Sequence, residues 1–483
     1  MKFKREILFL SLIVLLALVL RLYRITNPVG DWHAFRQADT ASVTLQYVKN
    51  GIDLLKPTYL DLSNIQSGQD NLMGYRMVEF PLINVLIAQI ILFFPILQSI
   101  DGLVLLSRLF AIFFSLGTLV SLYFLTKELS GKKVALLTAF SFAVLPYSIY
   151  YSRVILPEPY FLFFSTFSIL QFLFYLKTKK LSHYLLSLTI LALAFLLKPF
   201  VGFLVPVYFV SIYFYQKDFY KDWKIYLFPV LALAPLLWWR QWILQFPTGI
   251  PASDWLLNGN KIRLRPAWFR WLFYERLIKL FLGFSGTIFI LANLTKFKKD
   301  FWIYLSWWLG ILLYFIVVAT GNVQHDYYQN LALPILSISL GRGIYYFYEK
   351  AKSSLKDQKI AAILLTILLF GSAWYLSWEQ VKGYFNVNHW EYVKAGKKAN
   401  ELLPVDAKVI APAMGDTQFL FQTQRQGWPI GYEISKKIAN GAQFYISTSN
   451  DDERKMLLQY CKLFYEQPEF MIIDLRNCTD LKD

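Results

Sequence analysis

The apolar stretch ILFLSLIVLLALVLRLY, Ile7–Tyr23, decides the fold class, and the polar stretch GDWHAFRQADTAS, Gly30–Ser42, follows it closely. The first stretch approaches the roughly 20 residues that a helix needs to cross a bilayer. Basic residues precede it, and Arg21 and Arg24 close it where a signal peptide would carry a small-residue cleavage site. This pattern predicts a retained first helix with a cytoplasmic N-terminus. The polar stretch is therefore predicted to begin an extracytoplasmic loop, and its acid, base and amide groups suggest a chemical role.

Composition places the whole chain in the membrane class. Of its 483 residues, 56% are hydrophobic and 18% are aromatic, which is more apolar surface than one or two soluble domains bury. The formal charge of +17 lies in short clusters between apolar runs, not along one face. That distribution indicates topology signals and excludes nucleic acid as a partner. Cys461 and Cys478 lack metal-site spacing and allow at most one disulfide.

Ten further apolar runs are predicted to span the membrane, which makes eleven spans in total. They lie near residues 103–126, 134–150, 159–176, 183–197, 200–215, 225–245, 277–295, 301–320, 331–347 and 359–377.

The run Phe80–Leu97 is also long and apolar, and its placement decides the orientation of everything after it. If it lies along the outer interface, the lysine clusters at 127–133, 177–180, 217–224, 296–299 and 350–356 all become cytoplasmic. The positive-inside rule favours that arrangement, and Pro81 and Pro95 fit an interfacial helix better than a straight span. The C-terminal segment is then extracytoplasmic. The protein is predicted to reside in the plasma membrane of a bacterium or archaeon.

Two domains follow from this topology. Residues 1–377 form an α-helical polytopic membrane domain with a long first external loop, 24–102, and residues 378–483 form a small extracytoplasmic α/β domain. Within the tail, the pattern predicts helices at 390–402 and 450–463 and strands in AKVIAP, AQFYIS and EFMIIDL. The first loop is predicted to contain interfacial helices near 40–49 and 80–97.

Several short motifs on the predicted outer face carry a family resemblance. They are HAFRQADTAS (33–42), EFPL (79–82), SRVILPEPYFLFF (152–164), LALAFLLKPFVGFLVP (191–206) and HDYYQNLALPI (325–335). In this order they resemble the C-type membrane glycosyltransferases across residues 1–350, in particular protein O-mannosyltransferases and lipid A aminoarabinose transferases. The chain departs from the latter at Lys198–Pro199, where their intervening glycine is missing.

The resemblance implies that a sugar passes from a polyprenyl-phosphate carrier to a lipid, glycan or protein acceptor on the outer face, with inversion at the anomeric carbon. Such a reaction needs a carboxylate to accept the acceptor's proton and cations to hold the departing phosphate. No cofactor is predicted. Loop carboxylates could bind a divalent cation, but no ligand spacing supports one, and no metal is predicted.

The resemblance offers Asp31 and Asp39 as candidates for the base. Asp31 lies in a sequence context loosely similar to that of the acidic pair in the mannosyltransferases. Alignment with the aminoarabinose transferases instead places Arg36 and Gln37 at the positions of their acidic pair, with Asp39 three residues on. We favour Asp31 as the base and give Arg36 a supporting role. Alternatively, Asp31 makes a turn and Asp39 caps a helix over 40–49. Glu79 either orients the acceptor or occupies the first turn of the interfacial helix.

Four residues are candidates for binding the donor phosphate. Arg153 has a planar guanidinium that can grip phosphate oxygens in pairs, and Glu158 could hold it in place. Lys198, His325 and Tyr328 complete the group that the resemblance implies. The alternatives are that the two cations snorkel to the interface and that the aromatic residues form an interfacial belt.

Two other classes of function remain open. A transporter or flippase for polyprenyl lipids would carry ionisable residues within its helices, whereas most of the predicted spans lack charges in their interiors. A non-catalytic partner that binds lipid-linked glycan would keep Arg153 and Lys198 but would need neither Asp31 nor Asp39.

Overall fold

The computed structural model describes residues 2–294, 298–356 and 358–479. The chain forms two compact units. The first comprises residues 1–23, 111–240 and 253–383, and the second comprises 24–110, 241–252 and 384–483. The last residue of the predicted span 277–295, Lys296 and the end of the predicted tail, 480–483, lie outside the described residues.

Every predicted apolar run is helical where it is described, although several of the helices are broken. The main helices of the first unit are Lys2–Arg21, Ile100–Ser130 (which begins in the second unit), Lys132–Val144, Pro146–Tyr151, Glu158–Thr178, Leu181–Leu197, Val205–Tyr215, Trp223–Ile243, Thr287–Asn293, Lys299–Val317, Leu333–Ser354 and Lys359–Val381. Shorter helical segments are Pro199–Leu204, Phe219–Lys221, Asp254–Asn258, Pro266–Phe269, Ala319–Gln324, Asp326–Ala332 and Lys382–Phe385, and Arg270–Phe281 is a π-helix.

Glycines allow helices of the first unit to pack closely. A Cβ added at Gly343 would lie 1.9 Å from the carbonyl oxygen of Phe289, and one at Gly341 would lie 2.4 Å from the hydroxyl of Thr138. Both glycines are on the helix Leu333–Ser354. Small residues at helix contacts are typical of membrane proteins, where packing and not hydrophobic burial drives association.

The first unit has the apolar surface of an integral membrane protein. Four stretches among the described residues are long and apolar enough to cross a bilayer: Ile100–Ser130, Glu158–Thr178, Lys299–Val317 and Lys359–Leu402, the last of which begins with the helix Lys359–Val381 of the first unit. Large apolar side chains on the last of these, such as Ile360 and Leu368, are exposed. The predicted class of helical membrane protein is confirmed, and the count of eleven spans stays a prediction.

The first loop contains the two predicted helices with different bounds. They are Ala34–Asn50 and Leu82–Phe93, and the 3₁₀ turn Pro95–Leu97 follows the second. The first helix begins six residues earlier than predicted, directly after His33, which has left-handed backbone angles. Asp39 therefore lies inside the helix, and the alternative that it caps the helix is wrong.

The tail of the second unit contains a small mixed sheet, as predicted. Its strands are β1 Lys408–Ile410, β2 Gly427–Trp428, β3 Ala442–Ser447, β4 Lys462–Gln467 and β5 Phe470–Asp474, in the order β2-β1-β3-β5-β4. β1 pairs parallel with β2 and β3, whereas β5 pairs antiparallel with β3 and β4. The other helices of this unit are Pro247–Gly249, Trp390–Leu402, Gln418–Thr423, Ile434–Ala439 and Asp452–Tyr460.

The prediction for 390–402 matches the helix there, but the predicted helix 450–463 is too long. The helix ends at Tyr460, and the chain continues through Cys461 into β4. A disulfide joins Cys461 to Cys478 and ties the start of β4 to the segment after β5. The structure therefore contains the single disulfide that the two cysteines allow.

The first loop adds a short extended segment to the edge of this sheet. The amide of Leu62 donates to the carbonyl of Gly427 at 2.8 Å, and the amide of Gly427 donates to the carbonyl of Leu60 at 2.9 Å. Asp61 thereby pairs with Gly427 in parallel register. The first loop and the tail are consequently joined by backbone hydrogen bonds within one unit.

Candidate active site

Asp31, at the start of the first loop, is buried beside a buried arginine. Its side chain is fully buried, and Oδ2 lies 3.5 Å from Nη2 of Arg108, whose side chain is also fully buried. The side-chain amide of Gln37 donates to Oδ1 of Asp31 at 2.6 Å. Asp31 thus has a buried cationic partner and a side-chain hydrogen-bond donor in the same unit.

Asp39 belongs to a second buried ion pair in the same unit. Oδ2 of Asp39 lies 3.0 Å from Nη2 of Arg76 and accepts from the amide of Gln66 at 2.9 Å. Its other oxygen accepts from the hydroxyl of Thr417 at 2.8 Å. Because Thr417 belongs to the C-terminal tail, Asp39 connects the first loop to the tail by its side chain.

Arg36 and Glu79 form an ion pair with both side chains largely buried. Glu79 lies before the helix Leu82–Phe93, and the residue that caps this helix is Pro81, without a side-chain hydrogen bond. Glu79 is therefore outside the first helical turn, and the alternative that placed it there is wrong.

Two further carboxylates of the second unit lie in the electrostatic field of Asp39. Burial raises the pKa of Asp61 to about 6, and the charge of Asp39 adds to this effect. Burial likewise raises the pKa of Asp416 to about 6, and Asp39 again contributes. The amide of Ser63 donates to Oδ1 of Asp61 at 2.8 Å. Near neutral pH the ionised fractions of both carboxyls are therefore sensitive to small changes in pH.

In the first unit, Arg153 lies in the turn between the helices Pro146–Tyr151 and Glu158–Thr178 and is fully buried. Its Nη1 donates to the carbonyl of Tyr23 at 3.2 Å, and its guanidinium lies 5.8 Å from the ring centre of Tyr150. A buried arginine of this kind does not reach the surface, so the snorkelling alternative is wrong for Arg153.

Lys198 lies where the helix Leu181–Leu197 ends, and it is the centre of a buried cluster. Its Nζ is 3.4 Å from Oε1 of Glu158, with side chains that are 8% and 3% exposed. The ammonium also lies 5.9 Å and 5.5 Å from the ring centres of Tyr327 and Tyr328. Snorkelling is therefore wrong for Lys198 too. Glu158 contacts Lys198, and its predicted support of Arg153 stays a prediction. The Lys198 ammonium is thus desolvated and lies close to one carboxylate and two tyrosine rings.

The HDYYQ segment contributes more than its two predicted residues. The rings of His325 and Tyr328 lie 6.3 Å apart. Asp326 is fully buried, accepts from the hydroxyl of Tyr151 at 2.5 Å and lies 3.9 Å from Nη1 of Arg276. Arg276 belongs to the π-helix Arg270–Phe281, and π-helices are frequent at functional sites.

Sequence reasoning missed Arg76, Arg108 and Arg276 as partners of acidic residues. Arg108 carries a signal that could have been used, because it is a charged residue within the predicted apolar span 103–126. Arg76 and Arg276 lie in polar segments, where a single arginine is not distinctive. Among the described residues, no group of three or more His, Cys, Asp or Glu side chains is arranged to hold a metal ion. The absence of a metal stays a prediction.

Comparison with known proteins supports the resemblance that the motifs predicted. Residues 86–239 match the family described as dolichyl-phosphate-mannose-protein mannosyltransferase. An uncharacterized protein of Aquifex aeolicus is 26% identical over 275 residues, which are 55% of this chain and 60% of that protein. The chain therefore aligns with less than two thirds of this relative's length.

Solved structures of membrane glycosyltransferases share the fold. ArnT from Cupriavidus metallidurans bound to undecaprenyl phosphate has a TM-score of 0.65 at 11% identity, with 98% of this chain and 99% of that chain covered. The archaeal oligosaccharyltransferase AglB from Archaeoglobus fulgidus, in complex with an inhibitory peptide and a dolichol-phosphate, has a TM-score of 0.61 at 12% identity, with 100% of this chain and 75% of that chain covered. The predicted resemblance to C-type membrane glycosyltransferases is confirmed by the match at residues 86–239 and by the shared fold.

Proposed function

We propose that the protein transfers a sugar from a polyprenyl-phosphate carrier to an acceptor at the extracytoplasmic face of the membrane. The observation that carries this proposal is the buried cluster of Lys198 with Glu158, Tyr327 and Tyr328. In a helical membrane unit, an ionisable cluster of this kind is costly unless it binds a ligand or stabilises a partner charge. The family match at residues 86–239 supports a lipid-linked sugar phosphate as the ligand class.

In this mechanism, Lys198 and Arg153 bind the phosphate of the donor. The acceptor hydroxyl attacks the anomeric carbon, a new C–O bond forms, and the bond from that carbon to the phosphate oxygen breaks with inversion. The polyprenyl phosphate departs with one more negative charge than the donor carried, and the two cations offset that charge in a site of low dielectric. His325 and Tyr328 donate hydrogen bonds to the same phosphate.

Asp31 accepts the proton that the acceptor loses. Asp31 is the first-loop carboxylate that the family resemblance favours as the general base, and the guanidinium of Arg108 lies beside it. Asp39 serves as a positioning residue, because both of its oxygens are bound by side chains from the first loop and the tail. Arg36 orients Glu79, and Glu79 contacts the acceptor.

The site and the tail face the outside of the cell in this proposal. The lysine clusters at 127–133 and 177–180 are then cytoplasmic, as the positive-inside rule requires. The disulfide Cys461–Cys478 supports the same orientation, because disulfides persist mainly in oxidising compartments.

The test uses purified protein in lipid nanodiscs, a panel of radiolabelled polyprenyl-phosphate sugars and an extract of native membranes as the source of acceptor. Asp31→Asn should lower turnover by about 10²–10⁴-fold, since a positioned base contributes that much, and should leave donor affinity within about threefold of wild type. Asp39→Asn should chiefly lower stability. Full turnover in both variants and in the double variant would refute a catalytic role for this loop. Donor binding without any transfer would instead favour a non-catalytic binding partner.

A further inference from the structure

A polar cavity of about 270 Å³ lies in the second unit, where the first loop meets the tail. Ser63, Asn64 and Asp70 line it from the first loop. Tyr432 and Lys436 are among the residues that line it from the tail. None of these residues belongs to the site described above, so the cavity needs an explanation of its own.

The cavity is built on a firmly held scaffold. The backbone hydrogen bonds between Leu62 and Gly427 fix the first loop to the sheet immediately beside it. On the tail side, the ammonium of Lys437 donates to the carbonyl of Gly431 at 2.5 Å. Glu453 accepts from the amide of Tyr432 at 2.6 Å. Both walls are therefore preformed, which reduces the entropy that a ligand must overcome on binding.

The backbone of the tail wall is strained at the residues that face the cavity. Tyr432 and Glu433 both have left-handed backbone angles, with φ of 61° and 44°. Such angles are uncommon for residues other than glycine and cost about 1 kcal/mol or more each. The turn presents the side chain of Tyr432 at 70% exposure. Contacts of Lys437 and Glu453 hold this strained turn in place, and the turn exposes the aromatic ring of Tyr432. Backbone strain of this kind is typical of binding sites.

The chemistry of the lining favours a neutral ligand rich in hydroxyl groups. Lys436 lies 2.9 Å from Asp70 and 3.6 Å from Glu433, so the exposed charges of the lining largely balance one another. In the part of the chain that the structure describes, the side-chain amides of Asn64 and Asn440 make no hydrogen bond to protein. Each amide can both donate and accept hydrogen bonds, and so can the hydroxyl groups of a ligand. An exposed tyrosine ring adds an apolar face with a polar tip.

We propose that this cavity binds a saccharide, with the ring of Tyr432 against the apolar face of one sugar unit and the amides of Asn64 and Asn440 on its hydroxyls. A volume of about 270 Å³ is close to the lower limit of small-molecule pockets, about 300 Å³, and suits one or two sugar units. The inference rests on the proposed function in one respect: the bound saccharide is then part of the acceptor, which is a glycan or glycolipid and not a peptide.

Saturation-transfer NMR on the full chain, in nanodiscs or in a detergent without a sugar headgroup, tests the proposal with methyl glycosides and neutral disaccharides of glucose, mannose and galactose. At least one probe should bind.

Tyr432→Ala should weaken the binding of that probe about tenfold or more, because the aromatic contact is lost. Tyr432→Phe should stay within about threefold of wild type, since the ring face remains. Asn64→Ala should weaken binding to a lesser degree. The matched control is Tyr460→Ala, which removes a partly exposed tyrosine of the same domain and should change nothing.

Absence of binding by every neutral probe would overturn the inference. So would wild-type binding in both Tyr432→Ala and Asn64→Ala when their melting temperatures match wild type. Donor binding is measured on the same samples with polyprenyl phosphate. If the wild-type protein binds polyprenyl phosphate but no neutral saccharide, only the saccharide site is contradicted, whereas failure of the wild-type protein to bind polyprenyl phosphate contradicts the proposed function.

Discussion

At the scale of single residues, the first-loop carboxylates differ in how they are held. Asp31 lies beside the buried guanidinium of Arg108 and accepts from the amide of Gln37, whereas the two oxygens of Asp39 are bound by side chains of the first loop and the tail. A residue that positions two segments must keep such contacts. We therefore expect the Asp39 variant to lose stability first, and we assign proton transfer to Asp31, the carboxylate that the family resemblance favours.

Lys198 should be required for donor binding. Lys198→Ala removes the cation that faces the donor phosphate, and we expect the affinity for polyprenyl phosphate to fall about tenfold or more, because charge-assisted contacts in a desolvated site are the strong ones. The matched control is Lys177→Ala, which breaks a lysine–glutamate pair with Glu128 at the surface and should leave donor affinity unchanged.

Removal of Lys198 also leaves Glu158 without that cation, which lowers the stability of the protein. Donor binding is therefore normalised to the amount of folded protein. A second variant, Lys198→Ala with Glu158→Gln, removes both charges of the pair and should recover stability without recovering donor affinity. Wild-type donor affinity in the double variant would contradict the role of Lys198.

Asp61 should make the stability of the protein depend on pH. Its pKa in the folded protein, about 6, lies above the ordinary value of 3.8, so the folded state binds the proton more tightly than the unfolded state. The contribution of Asp61 to the free energy of unfolding is then fully present below about pH 4, and it is lost as the pH rises through about 6. We expect thermal stability to fall over this interval, by up to about 3 kcal/mol from this residue.

Asp61→Asn keeps the acceptor oxygen for the amide of Ser63 and removes the ionisable group, so it should reduce the fall in melting temperature between pH 5 and pH 8. Asp452→Asn serves as the control, because that side chain is 98% exposed. Equal pH profiles for wild type and Asp61→Asn would show that Asp61 does not carry the effect.

At the scale of elements, the short strand β2 has two partners, β1 in the sheet and the first-loop segment around Asp61. Gly427 is the residue that makes this possible. A Cβ at this position would lie 1.7 Å from the carbonyl oxygen of Val409, which is an impossible contact, so β2 would have to separate from β1.

Gly427→Ala should therefore destabilise the second unit by about 1–3 kcal/mol, the usual cost of overpacking. Melting temperature in detergent measures the effect. Gly383→Ala is the control, since a Cβ there meets nothing within 4 Å. If both variants have the melting temperature of the wild-type protein, the close approach of β2 to β1 is not required for stability.

At the scale of the whole molecule, orientation in the membrane is the property on which the proposed function most depends. The protein's own cysteines form a disulfide, so a single introduced cysteine reports only its own position. Met414 is 92% exposed in the tail, and Lys132 is exposed at the start of its helix. We expect Met414→Cys, and not Lys132→Cys, to react with a membrane-impermeant maleimide in intact cells or spheroplasts.

After permeabilisation, both cysteines should react, which controls for local accessibility. Labelling of Lys132→Cys from outside, with protection of Met414→Cys, would invert the topology and exclude the proposed extracytoplasmic reaction.

Local patterns in the sequence determined the class of the protein and much of its secondary structure. Hydropathy runs predicted the membrane helices, and the helix Trp390–Leu402 and three of the five strands were predicted within a few residues. The order of the five motifs predicted the resemblance to membrane glycosyltransferases. These properties follow from neighbours along the chain, because amphipathic periodicity and the length of an apolar run are local quantities.

Only the tertiary structure decided which charges meet. Arg108 is 77 residues from Asp31, and Lys198 is 40 residues from Glu158, so no local pattern pairs them. Tertiary packing likewise buries Arg21, which in the sequence only closes the first apolar run; its guanidinium donates to the carbonyl of Ala143 at 3.0 Å. The physical reason is that desolvation and Coulomb energy depend on distance in space, and that distance exists only once the chain has folded.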